Sequence, residues 1–445
     1  MSRLDRHRRR GGLRAAALTG AGALAAALAV TAAATLLPSA QASPTGPVAA
    51  GQAPAAVAPG EVPRTPAGAA AAVMNLAERL KRLPGDHQAW ASLGVAYVEQ
   101  ARVTADPSSY ARAEEALRRA AALAPDDPAV LTGRAALAAG RHEFADAVRL
   151  ARRAVAANPY GAAAYGVLAD ARTQLGDYAG ATEAVRRMMD LKPGVASFTR
   201  ASYDAELRGD VREARRLLEA ALGDAFAPED VAYCRYYLGE LALRAGELPR
   251  AGRMYQEALR AFPGFVPALA GQARAEALAG RPDRAADGYA AVVARLPLAQ
   301  YIVEYGEVLR KLGRDPGGQW ALLKAQRRLM AAGGVRDDLT WAEFEADHGS
   351  PAVAVRHAEA EYARNPNMAA ADALAWALHK AGRSREALPY AVKATARGWR
   401  NALARYHRGA IEHALGRGSA ARPLAGATSV NPRFSPALPA LARPS

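Results

Sequence analysis

Residues 165–193 read YGVLADARTQLGDYAGATEAVRRMMDLKP, and this stretch decides the architecture. Tyr165, Leu168 and Ala169 recur at helical spacing and predict one buried face on a first helix, and Tyr178, Ala181 and Met188 do the same for a second. Gly176 between them accepts a positive φ and ends the first helix. Ala169 and Ala181 are small enough to let the two backbones approach closely, and Pro193 stops the second helix.

The pattern propagates in both directions. Gly176, Gly209, Gly246, Gly280, Gly313, Gly349, Gly382 and Gly416 stand 33, 37, 34, 33, 36, 33 and 34 residues apart. Five residues after each comes a small one (Ala181, Ala214, Ala251, Ala285, Gly318, Ala354, Ala387, Ala421), and Pro193, Pro263, Pro297 and Pro366 close four units. Upstream, Trp90, Leu93, Gly94 and Tyr97 with Ala113, Leu117, Ala120 and Pro125 form another unit, its inter-helix loop lengthened around Ala105-Asp106-Pro107. Leu131 through Gly140 and Ala147 to Pro159 is a looser copy. Ten units fit between about Asp86 and Pro432.

A period of about 34 residues with a turn glycine, a small buried residue and a terminal proline resembles the tetratricopeptide repeat. The resemblance implies an all-α, right-handed α-solenoid of about ten helix-turn-helix units, stabilised mainly by contacts between neighbours. Three departures stand out. Gly318 replaces the usual alanine, Asp338 occupies a large-residue position, and residues 331–336 break the period. The break predicts a bend or gap, dividing the array into blocks 67–330 and 331–432, followed by a tail, 433–445.

The N-terminus has its own character. Arg3, Arg6, Arg8, Arg9, Arg10 and Arg14 precede the uncharged apolar stretch 15–37, and Ala40-Gln41-Ala42 offers a cleavage site before Ser43, so 1–42 reads as a secretory signal peptide. The apolar stretch is long for that role, which leaves an uncleaved membrane anchor as the alternative. Residues 43–66 are rich in Pro, Ala and Gly and read as a linker. Net charge is +15, but the leader holds six arginines against one aspartate, leaving +10 beyond it. Those remaining arginines are scattered, without the contiguous basic stripe of a nucleic-acid binder. Cys234 is the sole cysteine, so no internal disulfide is expected.

No phosphate loop, HExxH, CxxC pair or nucleophile elbow occurs, and neither a catalytic role nor a cofactor is expected. Glu343 and Asp347 are an i, i+4 acid pair that serves a solvated face or, less simply, a hydrolase. His348, His357, His379, His407 and His413 crowd the last hundred residues. His407 and His413, six apart, point about 240° apart on one helix and cannot chelate together. His379 and His413 occupy equivalent positions in adjacent units, so a small-ligand or metal platform is an alternative function for this block.

The resemblance also implies which positions face the concave groove: Asp170, Tyr203, Glu206, Tyr233, Tyr236, Glu240, Arg244, Arg274, Glu307, Glu343, Asp347, Asp372, Trp376, His379, Tyr406 and His413. The set is acidic and aromatic. Trp376 shares a face with Asp372 and His379, opposite Leu374 and Leu378, and either anchors a partner or packs on a neighbouring helix. The expectation is an exported scaffold whose groove takes a basic and apolar peptide or protein segment, with a membrane-anchored assembly factor tethered through 15–37 as another alternative.

Overall fold

The computed structural model describes residues 65–419 and 421–443; the expectations for the leader and for the linker up to residue 64 lie outside the described residues. The described residues hold 21 α-helices and no strand. Helix α1 (Pro66–Arg82) covers the first unit, and ten helix pairs follow. Their A helices are α2 (His87–Thr104), α4 (Pro128–Gly140), α6 (Ala162–Gln174), α8 (Val195–Leu207), α10 (Pro228–Arg244), α12 (Val266–Leu278), α14 (Ala299–Lys311), α16 (Asp338–His348), α18 (Met368–Lys380) and α20 (Ala402–Ala414). The B helices are α3 (Ser108–Leu123), α5 (Phe144–Ala157), α7 (Tyr178–Leu191), α9 (Val211–Gly223), α11 (Leu248–Ala261), α13 (Pro282–Arg295), α15 (Gly317–Ala332), α17 (Pro351–Arg364), α19 (Ser384–Ala394) and α21 (Arg422–Thr428).

Local chemistry sets these boundaries. Asp86, Asp127, Asp177, Asp210, Asp337, Asn367 and Asn401 each accept an N–H of the first helical turn, satisfying donors that a helix leaves open. Seven of the eight ladder glycines take positive φ; Gly349, at φ −133°, is the exception. The small residue five positions on is fully buried at Ala181, Ala214, Ala251, Ala285, Ala354 and Ala387, where the B helix meets its A helix. Gly318 and Ala421 are exposed instead. In the first case Trp320 fills the contact by packing on Gly306, and in the second Pro423 packs on Gly409.

The array does not run on as an open spiral. Arg141 donates from Nε to Gly333 O at 3.1 Å, Asn367 Nδ2 donates to Gln174 O at 2.8 Å, and Asn431 Nδ2 donates to Leu243 O at 3.2 Å. The Tyr178 hydroxyl accepts from Met368 N at 2.8 Å. These partners are 192, 193, 188 and 190 residues apart. One superhelical turn therefore takes about five and a half units, and the A–B turns of units two to five seat on the loops that follow units seven to ten. Three ladder glycines make this seam possible, among them Gly246, where a Cβ would stand 2.8 Å from Asn431 Oδ1 and Pro432 Cδ. A Cβ on Gly209 would stand 2.4 Å from Gly398 O, and one on Gly176 would stand 2.8 Å from Pro366 O. The period-breaking loop 333–336 belongs to the seam, since Arg336 N–H also donates to Arg141 O at 3.3 Å. Between α15 and α16 the gap is bridged by aromatic side chains, with Trp320 against Phe344 and Arg327 over the Trp341 ring.

Candidate partner-binding groove

The A helices, which the repeat resemblance places on the concave side, carry polar residues that form a ladder between neighbouring A helices. Arg200 on α8 grips both oxygens of Asp170 on α6, at 2.8–3.1 Å. Arg244 on α10 meets Glu206 on α8 at 2.8 Å. Arg274 on α12 is 2% exposed and lies between Glu240 on α10 at 2.8 Å and Glu304 on α14 at 2.9 Å. The two carboxylates also accept the hydroxyls of Tyr255 and Tyr289, whose rings rise from the B helices. Tyr255 can reach this depth because it lies against Gly239 and Gly271, which have no side chains to block it.

Further along, His348 on α16 bonds Glu307 on α14 at 2.9 Å, and His407 on α20 bonds Asp372 on α18 at 3.0 Å. Burial pushes the carboxyls of Glu206, Glu304 and Glu307 above their ordinary range, although Arg244, Arg274 and His348 respectively pull the other way. Most groove acids thus find their base on a neighbouring A helix about one repeat away.

Glu343 and Asp347 on α16 are answered differently. Arg443 of the tail places Nη2 2.6 Å from Asp347 Oδ2 and Nε 3.1 Å from Glu343 Oε2. Behind it the tail forms a short 3₁₀ turn, Pro439–Ala442, and Ala440 N–H donates to Glu307 Oε2 at 2.9 Å. Leu438 and Leu441 are buried beside Ala273, Ala277 and Val308, and Phe434 packs on Tyr406. Burial pushes Glu343 up to about 7 even with Arg443 beside it. The i, i+4 acid pair therefore neither faces open solvent nor stands as a free pair: it holds the chain's own arginine.

The other expected groove residues divide by environment. Tyr236 and Glu240 lie inside the protein, at 4% and 2% exposure, Tyr236 because it packs among Tyr237, Tyr255 and Phe265. Trp376 is half-buried: it stacks on His407 with ring centroids 4.0 Å apart and donates to Asp347 at 2.8 Å, which favours the packing role. Tyr406 is half-buried next to it. His379 and His413 do not converge. His379 turns to Ser384 and His413 to Gly418 O, each at its own A–B turn. Among the described residues, no three of His, Cys, Asp and Glu gather as a metal-ligand set. No helix among them is long and apolar enough to cross a membrane.

Asp170 and Tyr203 remain accessible, Tyr203 at 40%. Its hydroxyl is pushed up by desolvation and by Glu206. The groove set expected from the sequence lacked Arg200, Glu304, His348, His407 and Arg443. His348 follows Asp347 directly and Glu304 lies three residues before Glu307, but Arg443 sits in a segment with no period from which to place it.

The comparison with protein families agrees with the repeat architecture. The tetratricopeptide-repeat profile matches residues 130–196, 201–264 and 236–300. Residues 130–196 and 201–300 thus carry tetratricopeptide repeats. Among solved structures, a thermophilic TPR protein of Thermus thermophilus is 23% identical over 38% of this chain and 91% of its own, with a TM-score of 0.35. The human IFIT1 dimer with PPP-AAAA is 15% identical over 73% of this chain and 77% of its own, with a TM-score of 0.43. The pilF protein of Pseudomonas aeruginosa is 15% identical over 51% and 97%, with a TM-score of 0.37. No curated protein matches the chain.

Proposed function

We propose that this protein is an exported scaffold that binds a peptide or protein segment along the concave face of its repeat array. One observation carries the reading: at α14 and α16 that face already cradles a polypeptide segment, with leucines in apolar contacts, a backbone N–H on Glu307 and an arginine on two acids. The accessible end of the face offers Asp170, Arg200, Tyr203 and Tyr237, a mixture of tyrosine and both charges typical of protein contacts. Nucleic acid is a poor fit, because Arg200, Arg244 and Arg274 are committed to carboxylates.

The test is site-specific photo-crosslinking from the full chain in its own host. A photoreactive residue replacing Tyr203 should capture a discrete polypeptide, while one replacing the exposed Arg149 on α5 should not. Equal labelling from both positions would sink the concave-face assignment. Export is checked by N-terminal sequencing of the extracytoplasmic product. A start at Ser43 is expected, whereas retention of residues 15–37 in the membrane fraction would favour the anchored assembly factor.

A further inference from the structure

The tail differs from everything else on the concave face. Elsewhere an acid of the ladder is matched by a base built into an adjacent helix, but the α16 pair is matched from residue 443, beyond the last repeat. The occupying segment carries Pro432, Pro436 and Pro439 in eight residues, which limits the conformations it loses on docking. Its seat is also imperfect: Arg443 Nε lies near Glu343 but lacks hydrogen-bond geometry to any acceptor. A segment held by one arginine, one backbone bond and the buried Phe434, Leu438, Ala440 and Leu441, none of them on a repeat helix, can leave without dismantling a repeat.

We infer that the notch formed by Glu307, Glu343 and Asp347 is a peptide-binding site held closed in cis by residues 434–443. In trans it accepts a segment of the same chemistry: two leucine-like side chains three residues apart, with an arginine two residues beyond the second. This inference rests on the scaffold reading and specifies one of its sites. Occupancy by the tail makes binding a competition, and an intramolecular competitor has the advantage of high effective concentration. A partner must therefore present a better-seated cation, or act where the tail is already lifted.

A labelled peptide spanning residues 432–445 provides the probe, with anisotropy as the readout. Three full-length proteins are compared: the parent; the double variant Leu441→Asp, Arg443→Glu, which disables the tail; and that variant carrying Glu343→Gln and Asp347→Asn as well. The double variant should bind the peptide at least tenfold more tightly than the parent, and the quadruple variant should lose this gain. A peptide with its arginine changed to glutamate should not bind. Either a folded double variant with no gain in affinity, or one whose helical circular dichroism collapses, would overturn the inference, the latter because the tail would then be part of the fold. Tyr203 crosslinking separates the two readings: if it persists while the peptide fails, the scaffold stands without a gated notch; if both fail, both readings fall.

Discussion

Arg274 carries a full charge where water cannot reach it. Desolvation of such an ion costs several kcal/mol and is offset only while both neighbouring carboxylates are in place. Arg274→Met should therefore destabilise the protein by about 3–5 kcal/mol, by leaving Glu240 and Glu304 facing each other across an apolar gap. Adding Glu240→Gln and Glu304→Gln should recover most of the loss, since the amides still accept from Tyr255 and Tyr289; denaturant titration of the single and triple variants is the check. Glu343 sets a pH dependence. Folded, it takes up its proton at about 7, against an ordinary value of 4.5. Between those values the folded state holds the extra proton, so stability falls as pH rises through that window. Glu206, Glu304 and Glu307 act in the same direction. The thermal midpoint should be lower at pH 8 than at pH 5.5, and Glu343→Gln should reduce the difference; an unchanged difference would remove Glu343 as a source.

At the scale of elements, the turns have two duties that can be separated by experiment. Gly280 has positive φ and open space around it, whereas Gly209 has the same backbone geometry with Gly398 O pressed against it. An alanine at Gly280 should cost about 1–2 kcal/mol, the strain of a left-handed alanine alone. At Gly209 the cost should be clearly larger, because the Cβ also forces the seam apart; similar shifts in thermal midpoint for the two variants would show the seam to be compliant. Asn367 and Asn401 allow the same separation among helix caps. Both cap an A helix, but Asn367 also donates across the seam to Gln174 O. Asn401→Ala should cost about 1 kcal/mol, and Asn367→Ala should cost more by roughly the value of one net hydrogen bond, about 1 kcal/mol. The helices themselves were legible from residue identity, because the apolar spacing, the capping aspartates and the turn glycines are local signals that agree. The seam was not legible. It depends on the sum of small rotations between neighbouring repeats, and nothing in the glycine spacing distinguishes Gly209, which touches another turn, from Gly280, which does not.

At the scale of the whole molecule, the seam alters how the array comes apart. An open solenoid is held by nearest-neighbour interfaces and frays from its ends. Here units two to five and units eight to ten are joined to one another by contacts about 190 residues apart in sequence. Hydrogen exchange should show α4–α10 and α16–α20 opening as one cooperative unit, with α1, which has no such contact, exchanging first. Separate opening of the segment from residue 331 onward would instead support the two-block organisation suggested by the broken period. The groove was half legible on the same grounds. Acids at the concave positions could be read from repeat register, but their partners lie on the next helix or in the tail, and only the superhelical geometry brings them together.

The five-and-a-half-unit pitch has a last consequence, for the way the chain can change. Open repeat arrays lengthen or shorten by duplicating or losing whole units, since each unit needs only its neighbours. In this chain a unit gained or lost between Gly246 and Gly333 would advance every later loop by one place relative to the turns it meets. Gly398, shaped to receive the bare backbone of Gly209, would then confront a different turn. Copy number is thereby fixed by geometry, and variation is steered to the N-terminal end at α1, since the loop after the last unit is itself matched to the fifth.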